Sequence, residues 1–304
     1  MTIYDMLISG GGPGGYTAAL YAGRAGLSAV VLEKLSAGGQ MALTTQIDNY
    51  PGFPEGIDGF TLGMQMQESA EKFGAETVIA EVEKLELDSE IKTARTSEGD
   101  FFGRTVVFAT GAHHRELGVP GEKELAGRGV HYCAACDGFF YRDKTVVVVG
   151  GGNSAAADAM TLSRIAKKVI LVHRRDTLRA TKVYHQPLME AENVEFQWNS
   201  TVSRLQADGR LTGVVFRDVN SGEEREISCD GLFVSIGRQP ATELVKGQLA
   251  LDEGGYVVAD ESTRTSLPGV FAVGDVRTKV LRQVVTAVAD GAAAAHRAEV
   301  YLLG

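Results

Sequence analysis

An α/β fold built as two doubly wound, three-layer units, one inserted into the other, is what this sequence of 304 residues predicts. Three observations carry that expectation. Two separate glycine-rich turns each lie between a β-branched run and an alanine-rich helical run. A later strand-like run behind each turn again ends in small or glycine residues. The chain after residue 244 is too short for a domain of its own, so it completes the first unit.

The first turn lies in MLISGGGPGGYTAALYAGRAG, where Gly10, Gly12 and Gly15 have G-x-G-x-x-G spacing and a helix is predicted over 16–25. The second lies in TVVVVGGGNSAAADAMTLSRIA, where Gly150, Gly152 and Ala155 fit the G-x-G-x-x-A variant. One glycine allows the tight turn, one lets the backbone approach a pyrophosphate, and the third position lets helix and strand pack closely. The N–H groups and positive dipole of the helix start then face the phosphates. A single such turn also occurs without a ligand; two, each in strand-turn-helix context, make a stronger case for Rossmann-like dinucleotide binding.

The residue 23 positions beyond the first glycine separates the sites. From Gly10 the count reaches Glu33, at the end of AVVLEK, where a carboxylate can accept from ribose hydroxyls, as FAD or NAD requires. From Gly150 it reaches His173 in VHRRDTLR, followed by Arg174, Arg175 and Arg179. Guanidinium groups bind a 2′-phosphate that an acid would repel, so the second site favours NADPH over NADH. The competing reading is a solvated basic edge.

Each unit then repeats a strand: VVFATGA (106–112) behind the first turn and LFVSIGR (232–238) behind the second. The last sixty residues carry LPGVFAVGDV, with Gly274 and Asp275, and a helical run from RQVVTAVADG onward. The boundaries fall near 114 and 244: residues 1–114 with 245–304 form the FAD-binding domain, and 115–244 the NADPH-binding domain. The connectors HHRELGVPGE and GRQPATEL both contain Gly and Pro.

Composition narrows the function. A formal charge of −9 with no run of five basic residues argues against nucleic acid and anionic membrane as main partners. No apolar stretch approaches about 18 residues and no basic region precedes the first apolar run, so a cytoplasmic protein is expected. Three cysteines are too few for a disulfide framework. Two of them, Cys133 and Cys136, stand as C-x-x-C in HYCAACDGFF, with Asp137 next. A zinc site lacks its other ligands, since no second C-x-x-C or His pair accompanies the first. A redox pair remains alongside chance spacing: cysteines at i and i+3 can close a small disulfide ring, and a helix starting there favours their thiolates. A flavin site, a nicotinamide site and a dithiol together make an electron path. Asp137 is placed to move the proton of thiol chemistry, or equally to cap a turn before Gly138.

These stretches, with GGQMALTTQIDNYPG, ATGAHHRELGVPGE and RQVVTAVADGAAAA, resemble the low-molecular-weight bacterial thioredoxin reductases over essentially the whole chain. The C-x-x-C-D inside the second unit is the most specific feature. The resemblance implies FAD held by the first turn, including Pro13, with Glu33, Gly39, Gln40 and Asn49. It further implies contacts from Val82, Thr110, Gly111, Gly274 and Asp275, and from Arg282, Gln283 and Val284 near the ring. NADPH would meet Gly152, Asn153 and Ser154, then His173, Arg174, Arg175 and Arg179, with Gly237 and Arg238 as neighbours. Cys136 would face the flavin, Cys133 would attack the disulfide of thioredoxin, and Asp137 would protonate. Phe139 and Phe140 would sit where the protein partner docks, although paired Phe are also common in cores. A homodimer is implied as well. With the dithiol in the NADPH-binding domain, the flavin cannot face nicotinamide and disulfide in one arrangement, so the domains are expected to rotate about their linkers. The rival readings are a related flavoprotein reductase or dithiol oxidase with another disulfide substrate, and a flavin-holding redox sensor without turnover.

Overall fold

The computed structural model describes residues 2–304. The chain divides into two compact units, Met1–His113 with Gln239–Gly304, and His114–Arg238. Residues 239–244, which the sequence groups with the inserted unit, belong here to the first. Thr110 Oγ1 donates to Ala241 O at 2.7 Å, and Ala241 N donates to Gly111 O at 3.1 Å.

The first unit opens with β1 (Ile3–Ser9), α1 (Pro13–Arg24), β2 (Ala29–Glu33) and α2 (Gly59–Glu71). It continues through β3 (Glu76–Ile79), β4 (Val82–Glu86), β5 (Lys92–Thr96), β6 (Gly99–Phe108) and β7 (Ala112–His114). Its main sheet runs β3-β2-β1-β6-β5-β4, parallel from β3 to β6 and antiparallel beyond. Apolar runs such as Val106-Val107-Phe108 are continuous because both faces of the sheet are covered. Met6, Ile8, Val31 and Val107 pack with alanines of α1 and of the C-terminal helix, whereas Leu7, Val30, Leu32, Val106 and Phe108 pack with Leu85, Ala94 and Val257 on the other face.

The second unit contains β8 (Val130–His131), α3 (Ala134–Asp137), β9 (Thr145–Val149), α4 (Asn153–Ser163) and β10 (Lys168–Val172). There follow α5 (His185–Glu190), β11 (Val194–Gln197), β12 (Ser200–Ala207), β13 (Leu211–Asp218), β14 (Glu224–Ser228) and β15 (Gly231–Val234). A fully parallel sheet, β11-β10-β9-β15-β8, lies between α4 and the antiparallel sheet β12-β13-β14. Alternation along the strands makes this three-layer packing possible: Val146 and Val148 meet Ala155, Ala159 and Leu162, while Val147 and Val149 meet Val202, Val214 and Phe216. The chain returns through β16 (Arg238–Pro240), β17 (Val270–Ala272), which joins the first sheet beside β6, and α6 (Val284–Leu302). Each unit is a Rossmann-like dinucleotide-binding domain, and the second is inserted into the first.

Candidate functional site

In the first unit the candidate residues gather beyond the carboxyl ends of β1, β2, β6 and β17, where ligands of open parallel sheets bind. The turn after β1 is closed behind and open in front. Gly10 has φ +108°, and a Cβ at Gly15 would collide with Gly10 O, so the helix can approach the strand only without a side chain. A Cβ at Gly12 would meet nothing within 4 Å, and Gly111, at the end of β6, is equally open. Gly39 comes within van der Waals reach of Gly12, its Cβ position 3.4 Å from Gly12 Cα. Gln40 follows it in the same 3-10 turn.

Helix α1 begins with Pro13 and has no side-chain cap and no acid in its first turn. By contrast, Asp58 caps α2 by accepting from Thr61 N at 2.8 Å, and α6 carries a reciprocal capping box between Gln283 and Thr286. The first-turn N–H groups of α1 are therefore left for a ligand. Glu33 closes β2, its Oε2 accepting from Gly11 N at 2.7 Å and its Oε1 from Leu35 N at 3.1 Å. Ala80 N bonds Glu33 O, which brings the chain toward Val82 at the same corner. Asn49 Nδ2 donates to Gln283 Oε1 at 3.0 Å, joining two candidates 234 positions apart, and Val284 opens α6 directly behind. The Arg282 guanidinium lies over the Tyr256 ring at 4.1 Å, and its Nε reaches Asp275 O at 3.5 Å.

A buried charge cluster fixes the Gly274-Asp275 turn. Asp290 of α6 accepts from Gly274 N at 2.8 Å, from Arg277 Nε and Nη2 at 3.0 and 2.7 Å, and from Lys279 Nζ at 2.7 Å. Burial pushes the Asp290 carboxyl up, but the hydrogen bonds and charges of Arg277 and Lys279 outweigh it and hold the group below the usual carboxylate range. Sequence reading missed this cluster, whose members are spread over 274–290 with no motif.

In the second unit the same plan recurs around β9 and β10. Gly150 has φ +147° and its Cβ would collide with Ser235 O at the end of β15, while Gly152 is open. Helix α4 again starts without a side-chain cap. Asn153, the first residue of α4, accepts from Thr181 N at 2.8 Å, and Ser154 beside it is exposed. Arg179 N donates to Gly151 O at 2.7 Å, which folds the arginine segment back onto the turn. Arg174, Arg175 and Arg179 all present exposed side chains. His173 is buried at the end of β10, where a Cβ on Gly151 would fall within its ring, and its Nε2 has no hydrogen-bond partner. Burial, and then the charges of Arg179, Arg174 and Arg175, hold its pKa below the ordinary histidine value. The basic residues thus act on one spot beside an open glycine turn and an orphaned buried nitrogen, a setting whose positive charge suits a phosphate. Gly237, φ +105°, and Arg238 follow β15 on that same edge.

Cys133 and Cys136 form a disulfide, with Cα atoms 5.3 Å apart. Cys133 precedes α3, and the N–H groups of Cys136 and Asp137 both donate to Cys133 O. The helix is a single turn, so the dipole benefit expected for the thiolates has no helix to supply it. Asp158 of α4 accepts from Ala134 N and, at 2.5 Å, from Ser235 Oγ; burial raises its pKa against both bonds. The Asp137 carboxylate is 3.0 Å from His131 Nδ1. Phe139 is 64% and Phe140 44% exposed, so neither belongs to the core. Among the described residues no cluster of His, Cys, Asp and Glu could hold a metal ion, and no helix is long and apolar enough to cross a membrane.

Residues 4–291 match the pyridine nucleotide-disulphide oxidoreductase family. A thioredoxin reductase of Streptomyces clavuligerus is 47% identical over 99% of this chain and 94% of its own length. One of Mycolicibacterium smegmatis is 45% identical over 99% and 97%. The crystal structure of thioredoxin reductase from Streptococcus pyogenes superposes with a TM-score of 0.93 at 44% identity, covering 99% of this chain and 98% of that one. With two dinucleotide cradles and a closed C-x-x-C disulfide on one chain, the protein belongs to the pyridine nucleotide-disulphide oxidoreductase family, within its thioredoxin reductases.

Proposed function

We propose that this chain is an NADPH-dependent thioredoxin-disulfide reductase, passing electrons through FAD and the Cys133–Cys136 disulfide to thioredoxin. The observation that carries the proposal is the disulfide closed in the same unit as the Arg174, Arg175 and Arg179 cradle. Family membership implies a flavin and a nicotinamide cofactor; the residues favour FAD and NADPH. Glu33, beside the open turn of the first unit, suits an adenosine ribose, and the guanidinium groups of the second suit a 2′-phosphate.

A bound flavin supplies acceptance of a hydride from a nicotinamide and delivery of an electron pair to a disulfide. The chain's own residues do the rest. The uncapped starts of α1 and α4 would hold the pyrophosphates. Asp290 and Arg277 keep the Gly274-Asp275 turn in place, and the Asn49–Gln283 bond orders the start of α6. Cys136 would face a bound flavin, Cys133 would attack the thioredoxin disulfide, and Asp137 would give and recover the proton of the leaving thiolate. Phe139 and Phe140, exposed beside the dithiol in sequence, offer an apolar docking patch. The chain crosses between the units only at 113/114 and 238/239, which supports rotation of one unit against the other between the two half-reactions. A cytoplasmic homodimer completes the proposal.

The test is NADPH oxidation by the purified holoprotein with and without oxidised thioredoxin. Thioredoxin-dependent oxidation that Cys133→Ser abolishes while FAD remains bound supports the proposal. Oxidation that ignores thioredoxin, or survives Cys133→Ser, overturns it.

A further inference from the structure

The histidine next to the redox pair is held on both of its nitrogens. His131 Nδ1 lies 3.0 Å from Asp137 Oδ2, and Nε2 lies 2.6 Å from Tyr141 Oη. The ring is 8% exposed and Tyr141 4%. Phe233 stacks on the imidazole at 5.3 Å and meets Tyr141 edge-on at the same distance. A Cβ at Gly231 would strike the Tyr141 ring, so the glycine that opens β15 leaves the space in which that ring sits. Asp137 is the immediate neighbour of Cys136 and shares its helical turn. Gly231 and Phe233 of β15 and Tyr141 after α3 therefore converge to fix one imidazole against the carboxyl group of the residue next to Cys136.

The two partners differ in a way that matters for protons. A carboxylate only accepts, so Nδ1 carries hydrogen whenever Asp137 is ionised. A phenol both donates and accepts. Tyr141 can accept from Nε2–H, both in the imidazolium and in the neutral ring left when Nδ1 gives up its proton, and can donate to Nε2 in the other neutral tautomer, so His131 can change protonation without losing either contact. Burial pushes the Tyr141 hydroxyl up to about 12, which keeps it protonated and removes it as a proton source.

We propose that His131 is a positioning residue that orients Asp137 and recharges it with the proton given to the cysteine thiolate. The inference rests on the reading of Cys133 and Cys136 as a working redox pair. When a thiolate opens their bond, it bonds to one sulfur. The S–S bond breaks with its electron pair going to the other sulfur, and that thiolate takes a proton. The attacking sulfur is oxidised and the leaving sulfur reduced; the attacked sulfur stays in a mixed disulfide until the second thiol of the reductant displaces it. Protonated Asp137 gives the proton, imidazolium Nδ1–H replaces it, and His131 ends neutral with hydrogen on Nε2 and Nδ1 accepting from the Asp137 carboxyl. The reverse transfer accompanies re-formation of the disulfide. The charged and titratable groups around the pair are Asp137 on α3, Tyr141 and Lys144 after it, and Arg210, Cys229 and Asp230 near the Tyr141 ring.

The test uses dithiothreitol as reductant of the oxidised holoprotein, with maleimide trapping of the thiols formed, and so needs neither NADPH nor thioredoxin. Rates are divided by the thiolate fraction of dithiothreitol and followed against pH. The wild type is expected to lose rate in one step as pH rises. His131→Asn keeps a donor toward Asp137 but cannot titrate; it is expected to be at least about tenfold slower at the acid end and to lose that pH step. A His131→Asn profile that matches the wild type overturns the inference. Should that variant fail to fold, Tyr141→Phe decides: the pH step is expected to move, and an unmoved step overturns the inference. A wild type that opens the bond with the expected profile yet ignores thioredoxin sinks the proposed substrate alone.

Discussion

Replacing Asp290 by alanine removes a carboxylate that contacts Arg277 from within the core. Arg277 is 1% exposed and also meets Glu261 at 3.5 Å, but that side chain is 92% exposed and solvated. Lys279, nearly as buried, keeps Thr286 O as an acceptor. Breaking a buried pair by removing one partner costs about 3–5 kcal/mol, because the remaining charge stays desolvated. For a unit of this size, where 1 kcal/mol moves the midpoint by about 2–4 °C, a drop of roughly 6–20 °C is expected. The exposed pair Lys34–Glu81 has a similar contact distance, 2.7 Å, and sets the control: Glu81→Ala is expected to cost less than about 1 kcal/mol. The pH dependence has a definite sign. The folded-state pKa of Asp290 lies below its unfolded value, so the contribution is complete above the unfolded carboxylate pKa, about 3.9, and disappears as pH falls through the folded value. The gap between wild type and Asp290→Ala should therefore narrow only below about pH 4. The assay is thermal unfolding by circular dichroism on both variants across pH. An Asp290→Ala midpoint no lower than that of Glu81→Ala would refute the reasoning. So would a gap that closes near neutral pH.

Other consequences are equally accessible. Arg175→Ala is expected to cut the preference for NADPH over NADH by about tenfold, the lower end for a charge-assisted bond because the side chain is exposed; steady-state kcat/KM for both coenzymes measures it. Gly15→Ala forces a Cβ onto Gly10 O, so the purified protein should retain little flavin and melt earlier, read from its visible absorbance and unfolding curve. Burial, and then the charge of Asp230, push the Cys229 thiol up to about 12, so iodoacetamide at pH 8 should leave it unmodified until the protein is unfolded, as mass spectrometry would report.

The strand-turn-helix at each glycine turn was legible in the sequence because local spacing determines it; the antiparallel sheet β12-β13-β14 was not. Gly10, Gly12 and Gly15 lie within one strand-turn-helix, and Glu33 falls at the end of β2 because β2 is the next strand of the same unit. Arg174, Arg175 and Arg179 were legible for the same reason. What sequence could not reach are pairings made by tertiary folding. Asn49 meets Gln283, Asp158 meets Ser235, and Asp290 gathers Arg277, Lys279 and Gly274. His131 stands two residues before Cys133, yet its role was open, because Tyr141 and Asp137 reach it only once α3 turns the chain back. The extent of α3 was also out of reach, since Gly138 and two aromatic residues shorten it to one turn.

The central claim is that one chain connects a nicotinamide, a flavin and the Cys133–Cys136 disulfide. Anaerobic titration of the purified holoprotein with NADPH, followed by flavin absorbance and by counting trapped thiols, tests it most directly. The account predicts two new thiols at Cys133 and Cys136, which oxidised thioredoxin then consumes in equal amount. Bleaching of the flavin with the disulfide left intact, or thiols that thioredoxin leaves untouched, would contradict it.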